Sequence, residues 1–118
     1  MKEPTGCIYW NKPEDITSDG FDFIERFDDS SHLLHALLKC RECGQLYFYE
    51  FYEEIDWENG NDPQYVTYIP VDSEEEVERL KTMSSFELLT VFPRLQQDYP
   101  KDANAPQIRW VSESCGDS

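Results

Sequence analysis

Cys40-Arg41-Glu42-Cys43-Gly44 places two thiols two residues apart, with a glycine directly behind the second. In that spacing both sulfurs converge on one cation. The stretch therefore reads as a zinc-knuckle-like turn, with structural Zn²⁺ as the expected cofactor. A structural zinc takes four ligands, and the turn supplies two. The other thiols, Cys7 and Cys115, stand near the two ends of the chain. Cys7 is the expected third ligand, because Gly6 before it permits close backbone approach and because tying the entry segment to the turn stabilises a small domain. His32, His35 or Cys115 would complete the set. Two other readings of these thiols stand beside the metal: a redox pair, and cysteines packed in a core. The redox reading is the weaker, since such pairs open a helix in a βαβ unit and Gly44 instead leads into a strand-like run.

The chain is strongly acidic: 25 Asp and Glu against 10 Lys and Arg give a formal charge of −15. Between Arg41 and Arg79 there is no cation at all, while twelve carboxylates fall there. Such a field repels phosphate backbones and anionic membranes and draws basic partners inward, so nucleic acid and membrane are not expected partners. Acidity that serves only solubility is the plain alternative. The aromatics weigh against it: Tyr47, Phe48, Tyr49, Phe51, Tyr52, Trp57, Tyr65 and Tyr68 crowd one predicted hairpin. That exceeds what one face of a small sheet needs, so some rings must meet solvent beside carboxylates, the make-up of a protein interface. The expected partner-binding set is Glu50, Tyr52, Glu54, Asp56, Trp57 and Glu58, with Glu50, Tyr52 and Glu54 on one exposed side of a strand.

Carboxylates in this pattern also raise catalysis. Glu50, Glu54 and Asp56 could gather a divalent metal for a hydrolase or nuclease, but the region has no cation to hold a phosphate substrate. Asp56-Trp57-Glu58-Asn59-Gly60 brushes a calcium-loop pattern and fails where the bidentate carboxylate should stand, at Thr67. A Cys–His nucleophile pair built on His32 or His35 lacks any further organisation. No catalytic residue is expected, and the chain is read as a non-enzyme.

At 118 residues the chain has the size of one domain. Met1-Lys2-Glu3-Pro4-Thr5 shows no apolar run behind basic residues, which makes the cytoplasm the expected location. An irregular entry is expected over residues 1–19, then strands carrying the CxxCG turn over 20–71. His32 to Lys39 fits a helical stripe or a strand, and its direct continuation into the turn favours the strand. Leu46 to Ile55 is dense in residues that favour a pleated surface, and Tyr65 to Val71 pairs with it across turn residues Asn59-Gly60-Asn61-Asp62-Pro63. Two capping patterns, at Asp72-Ser73 and Ser84, start two short helices, so residues 72–97 are read as helical. An edge strand at Gln107 to Val111 and a tail fill residues 105–118. The predicted class is α+β: an antiparallel sheet with a central aromatic-rich hairpin and two short helices packed on one face.

From His32 to Val71, through Leu-Leu-Lys-Cys-Arg-Glu-Cys-Gly-Gln-Leu-Tyr and on to Tyr-Ile-Pro-Val, the chain resembles a small family of uncharacterised bacterial cytosolic proteins. In charge and size it is similar in kind to the immunity proteins of contact-dependent growth inhibition and related polymorphic toxin systems. That resemblance implies a protein that binds and neutralises a cognate toxin domain, often a basic nuclease, and does no chemistry itself. A zinc ribbon is similar only at Cys40, Cys43 and Gly44, which implies the alternative of a zinc-knuckle adaptor.

Overall fold

The computed structural model describes residues 4–29, 33–53, 64–99 and 107–111. Six strands form one sheet: β1 (Phe21–Asp29), β2 (Leu33–Cys40), β3 (Leu46–Glu53), β4 (Gln64–Val71), β5 (Arg94–Tyr99) and β6 (Gln107–Val111). They lie side by side in chain order, each antiparallel to the next. One helical turn, α1 (Ile8–Asn11), precedes the sheet, and α2 (Glu74–Lys81) and α3 (Ser85–Leu88) lie between β4 and β5. The class is α+β, with the aromatic β3–β4 hairpin at the centre. The turn expected at Asn59 to Pro63 lies outside the described residues.

The ambiguous run before the knuckle is a strand because the sheet is covered on both sides. Ala36 and Leu38 of β2 point into one core, and Leu37 packs against the other. A strand buried on both faces needs a nearly continuous apolar run, which periodicity alone does not distinguish from a helix. The same two-sidedness orders β3: Tyr47, Tyr49 and Phe51 join the first core and Phe48 the second.

The second core packs Phe48, Ile69 and Val71 of the sheet against Val77 and Leu80 of α2 and Leu88 of α3. Both helices begin as their capping residues dictate. Ser73 Oγ accepts from Glu76 N at 3.3 Å while Glu76 Oε1 accepts from Asp72 N at 2.7 Å. At α3 the capping box is complete, with Ser84 N donating to Glu87 Oε1 at 3.0 Å and Glu87 N donating to Ser84 Oγ at 3.2 Å.

The first core is closed by the entry segment, which is not a loose lead-in. Cys7, Tyr9 and Ile16 are buried against Phe21, Leu38, Tyr47 and Tyr68. Trp110 Nε1 of β6 donates to Tyr9 O at 2.8 Å, and the Trp10 and Trp110 rings pack with centroids 4.9 Å apart. Short 3₁₀ turns at Pro13–Asp15 and Ser18–Gly20 carry the chain from this cover into β1.

The helical reading of residues 72–97 is wrong at its end. Arg94–Tyr99 is β5, inserted between β4 and β6. Its residues, Arg-Leu-Gln-Gln-Asp-Tyr, hide the alternation, because Leu95 is buried on one face while Arg94 and Gln96 are buried on the other as polar groups. Those groups satisfy one another: Arg94 Nε donates to Gln96 Oε1 at 3.2 Å, and Thr67 Oγ1 to the same oxygen at 3.1 Å. Hydrophobic periodicity does not register a strand whose buried side is hydrogen-bonded. Gln107–Val111 does form an edge strand, paired among the described residues to β5.

Phe48 is fully buried where β3 meets Phe27 and the helices. Phe48→Ala is expected to lower the unfolding free energy by about 3–5 kcal/mol, read from urea denaturation with an unchanged slope. A loss under about 1 kcal/mol would mean that the helical layer is not packed as described.

Candidate metal centre

Three elements bring three sulfurs together. Cys40 ends β2, and the turn after it closes the β2–β3 hairpin, with Gly44 N donating to Cys40 O at 2.9 Å and Cys40 N donating to Gln45 O at 2.8 Å. Gly44 sits at φ +81°, the left-handed conformation that a side chain disfavours, and this lets the chain reverse directly behind Cys43. Cys7 arrives from the other side as the residue that starts α1; Trp10 N donates to Cys7 O at 3.0 Å. Arg41 N donates to Gly20 O at 3.0 Å, so the knuckle is also pinned to the entry segment.

The Sγ atoms of Cys7, Cys40 and Cys43 all lie within 4.8 Å of one another. Cys7 and Cys40 are 3.9 Å apart. Zinc–thiolate bonds of about 2.3 Å opened to a tetrahedral angle put two sulfurs about 3.8 Å apart, so this spacing suits ligands of a single metal ion. The cluster spans the surface boundary: Cys7 and Cys40 are buried and Cys43 is exposed. Beside it runs an open cleft of about 340 Å³, lined among others by Gly6, Cys7, Cys43, Gly44 and Asp72.

Tyr47, wholly buried on β3 beneath the cluster, donates its O–H to Cys7 Sγ at 3.1 Å. Burial pushes the Cys7 thiol up from 9.0 to about 12, although the bond from Tyr47 pulls the other way. The Tyr47 hydroxyl is raised as well, chiefly by burial and then by its bond to Cys7. Without metal the buried sulfur therefore keeps its proton. Cys7 would give up that proton to hold a cation, and the Tyr47 O–H would stabilise the resulting thiolate.

The structure brings together Cys7, Cys40 and Cys43 as the sequence suggested. It separates His35 from them. His35 stands five residues before Cys40, about 16 Å along the strand and on the opposite face, where its Nε2 lies 2.8 Å from Glu50 Oε2. His32 and Cys115 lie outside the described residues.

The expected partner-binding face needs a similar correction. Glu50 is not on an exposed side; it is 4% exposed and committed to His35. Tyr52 does reach the surface at 37% exposure, its ring packed 6.2 Å from that of Tyr65. Glu54, Asp56, Trp57 and Glu58 lie outside the described residues. Glu50 instead belongs to a row that runs across the sheet, in which His35 faces Glu50, Glu50 faces Thr67 and Thr67 faces Gln96. Composition gives no sign of this row, but the turn does. Once the CxxCG turn sets Lys39 opposite Leu46, counting four residues outward on each strand places His35 opposite Glu50.

A thiol raised above its ordinary value gives stability that is fully present below pH 9.0 and is lost as pH climbs toward about 12. Urea denaturation of the metal-free protein is expected to show a fall between pH 9 and about 10, below the range where the raised tyrosines add their own slope, that Cys7→Ser largely removes and that bound metal reduces. Equal pH slopes for wild type and Cys7→Ser would contradict this. Comparison with protein-family models, with curated proteins and with solved structures finds no match.

Proposed function

We propose that this chain is an inhibitor of the immunity type, which binds and neutralises a basic toxin domain, with Zn²⁺ at Cys7, Cys40 and Cys43 as a structural clasp. The observation that carries the reading is the charge: −15 overall, and twelve carboxylates without one Lys or Arg between Arg41 and Arg79. A nuclease is the expected target, because a groove that holds a phosphate backbone must be positive. Masking it with carboxylates uses the same attraction in reverse.

Many of these acids stand where they can act. Glu42, Asp72, Glu74, Glu75 and Glu78 are exposed. Tyr52 adds an aromatic anchor at the sheet surface, supported by Tyr65. Roles divide accordingly: the ring supplies contact that slows dissociation, and the helix acids steer the approach. A carboxylate hydrolase is the less supported reading, since Glu50 is buried against His35. Among the described residues no carboxylate joins a metal-binding group.

The experiment is coexpression with the product of the adjacent gene, affinity purification, and binding kinetics over a salt series. A basic partner is expected whose association slows by about tenfold or more as salt rises. Tyr52→Ala should accelerate dissociation, whereas Glu74→Gln, Glu75→Gln and Glu76→Gln together should chiefly slow association. Salt-independent binding, or a neutral or acidic partner, would refute the proposal. A larger loss from the α2 substitutions than from Tyr52→Ala would move the interface to the helix.

A further inference from the structure

The metal reading above has a consequence for coordination. We propose that a metal held by Cys7, Cys40 and Cys43 keeps its fourth position open to the adjoining cleft, and that this position takes a neutral nitrogen donor of the imidazole class. The inference rests on that metal reading and goes beyond it, because a clasp that is only structural is closed by four protein ligands.

Three observations point the same way. The described residues bring three sulfurs within 4.8 Å of one another, and no His, Asp or Glu among them joins the group. Two glycines beside the cluster leave room around them: a Cβ added at Gly6 would meet nothing within 4 Å, and one at Gly44 would meet only Lys39 Cε at 3.7 Å. These two glycines line the same cleft of about 340 Å³ as Cys7 and Cys43, so a ligand reaching the exposed sulfur has a path to the cation.

Charge selects the donor. Three thiolates around a divalent cation carry a net charge of about −1, and the chain around them already carries −15. A fourth anionic ligand adds repulsion, whereas an imidazole adds none and is a good match for zinc. Tyr47 strengthens the case. Its O–H draws charge from the Cys7 sulfur and leaves the cation a better acceptor for a further lone pair. The donor is a histidine of a partner, and the variants below distinguish it from closure of the site by this chain's own His32.

The test uses the full chain, stripped of metal, reduced and loaded with Co²⁺, whose visible bands report the coordination sphere. Imidazole is then titrated in. The expected result is a saturable shift of the d–d bands at one imidazole per cobalt, with the same shift in Cys115→Ser and in His32→Asn. If imidazole changes nothing and Cys115→Ser lowers the thiolate charge-transfer band by about a quarter, the site is closed by a fourth sulfur and the inference is overturned. If wild type is silent and His32→Asn becomes responsive, the chain closes its own site and the inference is again overturned. Failure to take up cobalt at all would instead remove the metal reading, and this inference with it.

Discussion

The β2–β3 hairpin is the constraint on which the rest of the molecule depends. Its turn must reverse the chain within the residues between Cys40 and Leu46, and Gly44 at φ +81° makes that reversal possible. The reversal fixes Lys39 opposite Leu46, and the other β2–β3 pairings follow from it. One slip of register would turn Tyr47 away from Cys7 and Glu50 away from His35. The knuckle that presents Cys40 and Cys43 is thus also the device that positions Tyr47 beside Cys7.

Both faces of the sheet bury apolar side chains, so it needs two covers. Helices α2 and α3 supply one, and their capping residues start them without help from the core. The entry segment supplies the other, held by apolar burial, by the bond from Trp110 to Tyr9 and by the thiol of Cys7. No more than three positions separate Cys7 from Pro4, Tyr9 and Trp10, so a cation joining Cys7 to Cys40 and Cys43 would secure this cover to the sheet. That gives the metal a mechanical role in a small domain, where a core alone leaves little margin.

Much of this was legible in the residues, for identifiable reasons. The CxxCG spacing, the aromatic run of β3 and the Ser-x-x-Glu caps are local signals, and each marks an element that is present. That Cys7 lies beside Cys40 and Cys43 was also legible, from a glycine beside a thiol. What was not legible depends on pairing between distant strands. β5 buries polar side chains that Thr67 and neighbouring groups satisfy, so it lacks an apolar stripe. Glu50 looks like a surface acid until the register sets His35 against it. Entry residues 4–20 carry no periodicity because their burial comes from isolated contacts at Cys7, Tyr9 and Ile16.

Metal content is the most direct test of the account. The full chain, purified without a histidine tag under reducing conditions and measured by mass spectrometry of its metals, should carry about one zinc per chain. Cys40→Ser and Cys43→Ser should each release it, while circular dichroism at low temperature reports whether the sheet persists. Less than about a tenth of an equivalent of zinc in the wild type would contradict the account and leave Cys7 and Cys40 as packing.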